Sequence, residues 1–134
     1  MTTKERLMTR PWEDIAEFYR DFATVPANVE LGLLCERIAK SKLAGGIHAW
    51  TSLSTLCIVQ IETAWPYKGP ILRIEAVSEN ELEFRFEDTL VESRQWVRVV
   101  PATAAWGRLI AFLDQLHWFN DLSGLVDLPV SQSA

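Results

Sequence analysis

Residues 71–87 read ILRIEAVSENELEFRFE, two runs of alternating apolar and charged residues around a short polar turn. A period of two places successive side chains on opposite faces of a β-strand, so this stretch predicts an antiparallel pair of strands. In the second run Leu82, Phe84 and Phe86 face a core, while the charged residues between them face water. Residues 79–81 are the expected turn.

The charged face of this strand pair predicts its register, because opposite charges favour directly opposed positions on neighbouring strands. Pairing Glu75 with Arg85, and Arg73 with Glu87, opposes unlike charges at both places. A shift by two residues would instead oppose Glu75 with a glutamate and Arg73 with an arginine. We therefore expect the first arrangement.

The next strand, residues 94–100, is aligned by the same criterion. Placing Arg85 opposite Trp96 brings a cation over an aromatic ring. This register turns Val97 and Val99 toward the core and puts Trp96 at the centre of an outer surface of acidic and basic residues. Such a surface would recognise a partner, or would be the ordinary solvated face of an antiparallel sheet.

The segments on either side of these strands complete the predicted fold. Apolar residues recur with a period of 3.6 before and after the sheet. The resulting order of elements, α-α-β-β-β-β-β-α, has strand connections too short for crossover helices, which requires antiparallel neighbours. We expect an α+β domain with two N-terminal helices, a five-stranded antiparallel meander sheet and a C-terminal helix packed on the sheet. One domain spans residues 1–134, with residues 1–9 and 130–134 frayed.

Residues 17–22, EFYRDF, resemble the opening helix of a cystatin-like cone, as in nuclear-transport-factor-like domains. The resemblance implies a curved sheet with a pocket between it and the helices. The helix predicted after the last strand departs from that family's pattern.

Charge and hydropathy narrow the classes of function. The 134 residues contain 13 Lys and Arg against 18 Asp and Glu, a net charge of −5, so the surface as a whole repels phosphate backbones. We therefore expect no nucleic-acid partner. The sequence has neither an apolar run long enough to span a membrane nor the apolar region of a signal peptide. These features predict no membrane partner and a cytoplasmic protein.

Few residues suggest chemistry. His48, His117, Cys35 and Cys57 lack the spacing typical of a metal site, so we expect neither a metal nor another cofactor. His48 and Glu62 are weak catalytic candidates, because a buried carboxylate at the end of an apolar strand would act as a general acid or base. An exposed position just after the strand is the more ordinary role for Glu62.

Tryptophan is unusually frequent, with six among 134 residues. Trp65 stands in a loop with proline and glycine. Trp118 falls on the polar stripe predicted for the last helix, where its side chain is exposed unless the C-terminal tail covers it. Exposed aromatic residues of this kind anchor protein interfaces. The predicted binding residues are Trp65, Tyr67, Trp96 and Trp118.

Two classes of function remain. The first is a small acidic, non-enzymatic module that binds a protein partner, or a second copy as a homodimer, through these aromatic residues. The second is a small enzyme or ligand-binding protein whose pocket between helices and sheet is lined by Trp12, Tyr19, His48, Trp50 and Glu62. The lack of a catalytic motif favours the first class, and hence a protein that is not an enzyme.

Overall fold

The computed structural model describes residues 7–64 and 67–122. Within these ranges two helices precede five strands and a third helix follows, with the bounds α1 Trp12–Phe22, α2 Pro26–Ala39, β1 His48–Ser52, β2 Thr55–Val59, β3 Pro70–Ala76, β4 Glu81–Asp88, β5 Trp96–Pro101 and α3 Ala105–Gln115. The strands form one antiparallel sheet in the order β1-β2-β3-β4-β5. The predicted α+β meander is confirmed. No helix in the described ranges is both long and apolar enough to cross a lipid bilayer.

All three helices pack on one face of the sheet, which we call the inner face. Leu72 and Ile74 of β3, with Phe84 and Phe86 of β4, project from this face and are almost fully buried. Burying a side chain of this size contributes about 1.5–3 kcal/mol. The alternation in β4 therefore faces the core as predicted, and the opposite, outer face carries its charged residues.

Two long-range hydrogen bonds attach α1 to the first hairpin of the sheet. The indole Nε1–H of Trp12 donates to the Ile47 carbonyl oxygen at 2.9 Å, and the hydroxyl of Tyr19 donates to the Ser54 carbonyl oxygen at 2.9 Å. Both rings are buried, so these bonds satisfy polar groups that would be costly to bury alone. Burial also raises the pKa of Tyr19 well above its ordinary value.

The predicted register between β3 and β4 is wrong. Arg73 lies opposite Arg85 and Glu75 opposite Glu83, so like charges face each other directly. Unlike charges meet diagonally instead, since Arg73 Nε donates to a carboxylate oxygen of Glu87 at 2.7 Å. Long side chains also reach diagonal neighbours on the next strand. The prediction was wrong because it considered only the residues directly opposite each other.

The turn between β3 and β4 fixes this register. Ser78 opens the turn, and its hydroxyl oxygen accepts the backbone N–H of Asn80 at 3.4 Å. The backbone N–H of Ala27 donates to the Glu79 carbonyl at 2.7 Å, and that of Ala102 donates to the Asn80 carbonyl at 2.8 Å. These contacts join the turn to the start of α2 and to the segment before α3. Exposed ion pairs contribute at most about 1 kcal/mol each and do not decide the alignment.

The predicted register between β4 and β5 is also wrong, by one residue. Trp96 lies opposite Phe86 on the inner face, so it does not stand at the centre of the charged outer surface. A shift of one residue exchanges the two faces of a strand, and Val97 and Val99 therefore point outward. The observed register buries Val100 and packs the large Trp96 ring against the core. This removes more apolar surface from water than two valines would.

Helix α3 ends before Trp118, and this ending buries the tryptophan. The helix stops at Gln115, and His117 adopts a left-handed backbone with a φ of 58°. The N–H of His117 donates to the Asp114 carbonyl at 3.0 Å, and the N–H of Trp118 donates to the Leu113 carbonyl at 3.2 Å. These two bonds form a Schellman motif, which turns the chain off the helix. Trp118 is 8% exposed, so its predicted exposure is wrong.

The chain ends predicted to fray fall mostly outside the described residues. Of the N-terminal ones, Leu7 is described, and it forms a β-bridge with Ala64. Arg10 forms a second bridge with Ala49 of β1. Arg10 therefore covers part of the β1 edge of the sheet, while Leu7 pairs with the segment that follows β2.

Candidate functional site

The weak catalytic candidates His48 and Glu62 form no interaction with each other. The side chain of His48 is on the outer face, because its neighbour Ala49 points into the core, while Glu62 follows β2 and is exposed. Both residues are described, and no hydrogen bond or ion pair joins their side chains. The exposure of Glu62 removes the burial on which its role as a general acid or base depended.

The sheet divides the predicted lining of a ligand pocket. Trp12 and Tyr19 lie with the helices on the inner side. Trp50 lies on the outer side, where its ring centroid is 6.5 Å from that of Tyr67. These side chains therefore do not line one cavity. A cavity of about 130 Å³ lies between α1 and α2. It has room for one benzene-sized group.

A small second core lies on the outer face, with Cys57, Val59 and Ile71 buried beneath Trp50 and Tyr67. The hydroxyl of Tyr67 donates to the Pro70 carbonyl at 3.0 Å. Gly69 allows this fold, because its φ of 135° disfavours other residues and a Cβ there would lie 2.8 Å from the Tyr67 hydroxyl oxygen. Tyr67 is thus half-buried, and its predicted binding role stays a prediction. Trp65 falls outside the described residues.

The thiols are placed as structural groups. Cys57 accepts a hydrogen bond from Arg73 Nη1 at 3.2 Å. Burial raises the pKa of Cys57 to about 11, an effect that the nearby Arg73 opposes. Cys35 is buried in the main core, and its burial likewise raises its pKa. Protonated, buried thiols are poor nucleophiles. Among the described residues, no three His, Cys, Asp or Glu side chains form a group that would hold a metal ion.

The two edges of the sheet differ in how they are covered. The N-terminal segment bridges to β1, whereas no described residue pairs with the free side of β5. An edge strand presents backbone N–H and C=O groups to solvent, and these groups can pair with another strand. Within residues 7–64 and 67–122, the β5 edge is therefore the one left unpaired.

Val97 and Val99 line the outer side of this edge. They are 49% and 51% exposed. Natural edge strands usually carry charged residues or proline that prevent unwanted pairing. β5 does carry Arg98 on its inner face and ends at Pro101, but on its outer face Val97 and Val99 offer an apolar surface to a strand that lies alongside.

Three arginines and three aromatic rings line the inner side of the same edge. The centroid of the Trp96 ring is 5.9 Å from that of Phe86 and 4.8 Å from that of Phe112. Each ring is covered by one guanidinium carbon, at 5.3 Å for Arg98 over Trp96, 5.1 Å for Arg108 over Phe112 and 5.9 Å for Arg94 over Phe86. Cation–π contacts at exposed sites like these contribute about 0.5–1 kcal/mol each and favour positions of the guanidinium groups over the rings.

We call this surface the β5 edge site and define it by Arg94, Trp96, Val97, Arg98, Val99 and Arg108. Trp96 is the predicted binding residue that belongs to it. Trp118 supports the site from the core, since its ring centroid lies 6.4 Å from that of Phe86, the ring that also stacks on Trp96. The structure thus brings two predicted residues to one aromatic cluster, one at the surface and one beneath it.

Sequence reasoning missed Arg98 and Arg108 as members of a site. The predicted register, with Val97 and Val99 turned inward, implies an outward Arg98, whereas in the structure Arg98 lies opposite Phe84 on the inner face. Arg108 and Phe112 are four residues apart on α3, a spacing that brings their side chains together. That spacing was the available signal, but it does not reveal that β5 lies next to them.

Comparison with known proteins gives no relative from which to transfer a function: no family model, curated protein or solved structure matches the chain.

Proposed function

We propose that this protein is a non-enzymatic protein-binding module that adds an extended segment of a partner protein to the open edge of β5. One observation carries the proposal: Val97 and Val99 are half exposed on an edge strand that no described residue covers. The cytoplasm is the proposed compartment, on the sequence pattern alone.

Strand addition suits the chemistry of this edge. Main-chain hydrogen bonds to β5 would supply affinity, and alternate side chains of the added strand would contact the two faces of the edge. The outer contacts would be with Val97 and Val99, and the inner ones with Trp96 and Arg98. Pro101, which has no N–H to donate, marks the end of the surface that can pair.

An enzymatic role has less support. Glu62 is exposed and shares no hydrogen bond or ion pair with His48, and burial keeps Cys35 and Cys57 protonated near neutral pH. By contrast, the β5 edge site combines main-chain groups that no described strand pairs with, apolar contacts and positive charges, which are elements of peptide recognition.

Selection from a library of random linear peptides, displayed on phage and panned against the purified protein, tests the proposal. Enriched peptides would be synthesised and their affinities measured by calorimetry. We expect a variant with both Val97→Lys and Val99→Lys to bind them at least tenfold more weakly, because two lysines would replace the apolar contact with charge.

Leu33→Lys is the matched control. Leu33 is on α2 and, at 51%, is as exposed as Val99, but it lies with the helices on the other side of the sheet. The control should bind the enriched peptides with wild-type affinity. Peptides that depend on Leu33 and not on the valines, or a selection that enriches none, would refute the proposed function.

A further inference from the structure

We infer that the segment bound by β5 carries acidic side chains on the face that it turns toward α3 and apolar side chains on the opposite face. This inference rests on the proposed function and names the chemistry of the partner. It follows from the arginines of the β5 edge site and from the alternation of side chains along a strand.

Three arginines elsewhere in the described residues have carboxylate partners at short distance, whereas Arg10 and Arg37, which lie away from β5, have none. Arg20 contacts Glu36 at 2.8 Å, and Arg73 contacts Glu87 at 2.7 Å. Arg85 contacts the carboxylate of its strand neighbour Glu83, also at 2.7 Å. Their charges are balanced within the chain.

Arg98 and Arg108 differ from these. Neither forms an ion pair with any carboxylate in residues 7–64 or 67–122. Arg98 donates a hydrogen bond to the neighbouring Val97 carbonyl at 2.9 Å, and each guanidinium lies over an aromatic ring. Two positive charges therefore lie beside a strand edge that no described strand covers, and neither has an ion-pair partner among the described residues.

Arg94 adds a third, partly balanced charge. Its guanidinium lies 3.7 Å from the buried carboxylate of Asp88, which also accepts the backbone N–H groups of Leu90 and Val91. One carboxylate oxygen of Asp88 thus accepts the two loop N–H groups, and the other forms a long, weak ion pair with Arg94. The inner side of the edge stays positive in a protein whose net charge is −5.

Because side chains alternate along a strand, this positive charge predicts which residues the added strand carries at every second position. Successive side chains of an added strand point to opposite faces of the sheet. Those on the inner side meet Trp96, Arg98 and Arg108, where carboxylates form charge-assisted hydrogen bonds with guanidinium groups. Those on the outer side meet Val97 and Val99 and should be apolar.

Charge also favours such a partner over a second copy of this chain. Two β5 strands paired about a twofold axis would bring together two sets of the same three arginines. Like charges across neighbouring strands are destabilising. The carboxylates of an acidic segment are instead attracted to these arginines, and such a segment would also associate faster at low salt.

Titration of the ¹⁵N-labelled 134-residue chain with three synthetic seven-residue peptides tests the inference. The peptides alternate Val with Glu, Val with Ser, or Val with Lys. Amide resonances of β5 and of Arg108 should shift most with the Val–Glu peptide, whose affinity at low salt should exceed that of the Val–Ser peptide at least tenfold. The Val–Lys peptide should bind most weakly.

Arg98→Gln and Arg20→Gln form a matched pair of variants, because each removes one positive charge from an exposed arginine. Arg98→Gln should reduce the preference for Glu over Ser at least threefold, whereas Arg20→Gln should leave it unchanged. Melting curves of both variants report whether the fold is retained.

The outcomes separate the inference from the function on which it rests. Equal affinity of all three peptides, with shifts confined to β5, would retain strand addition and overturn the acidic preference. Shifts elsewhere, or none with any peptide, would overturn both. Shifts of β5 resonances on simple dilution of the protein would show that a second copy holds the edge, and would also overturn the acidic partner.

Discussion

His117 decides how the last helix ends and therefore where Trp118 lies. A left-handed backbone costs a residue other than glycine about 1–2 kcal/mol. His117→Gly should relieve this cost but lose some conformational entropy on folding, for a net gain of about 0.5–1 kcal/mol in the free energy of unfolding. Urea denaturation of the variant and the wild type measures the difference.

The control is His117→Ala, which keeps a Cβ in the left-handed region and should stay within about 0.5 kcal/mol of the wild type. A glycine variant less stable than the wild type would contradict the Schellman motif at this position.

Cys57 makes the fold less stable as the pH becomes alkaline. Its pKa is raised by burial from an ordinary 9.0 to about 11, so the folded chain holds its proton where the unfolded chain releases it. The resulting stabilisation is fully present below about pH 8.5 and is lost as pH rises toward 11. Between these values the wild type should lose up to about 3 kcal/mol more than Cys57→Ala.

Guanidinium denaturation at pH 8, 9, 10 and 11 measures this difference. Cys35 and Tyr19 are also buried and shift in the same direction, so both proteins should weaken at high pH, and only their difference reports on Cys57. Parallel curves for the two proteins would place the Cys57 thiol in water.

The proposed function depends on which side chains of β5 point to the inner face and which to the outer face. Val100 is buried, and Val97 is half exposed on the opposite face. Val100→Thr would bury a hydroxyl and should cost about 1–3 kcal/mol of unfolding free energy. Val97→Thr should change it by no more than about 0.5 kcal/mol. Equal costs in urea denaturation, or the reverse order, would mean that the faces of β5 are exchanged.

The strands also show what the sequence can and cannot predict. The faces of β4 were predictable, because its apolar and charged residues alternate strictly. β5 has the sequence WVRVVP, with apolar residues at both alternating positions, so its pattern fits either face. Its orientation depends on the size of Trp96 and on neighbours that come from other segments. The β3–β4 register depends in the same way on hydrogen bonds from Ala27 and Ala102, which are distant in sequence.

At the scale of the whole molecule, the element order was predictable and the site was not. Periodicity and short connections were enough to predict the meander and the helices that pack on it. The β5 edge site joins Arg98 of a strand to Arg108 of a helix across an aromatic cluster, and that meeting exists only after α3 packs on β5. The position of Trp118 was also not predictable from helical periodicity, because the Schellman motif at His117 turns its ring into the core.

Amide hydrogen exchange of the 134-residue chain, with and without a saturating selected peptide, tests directly whether β5 is a protein-binding edge. Unpaired amides of an edge strand exchange readily, and pairing with a second strand protects them. We predict at least tenfold slower exchange for amides within residues 96–100, with the β1 amides unchanged. Protection confined to α1 and α2, or unaltered exchange throughout β5 in the bound protein, would contradict the account.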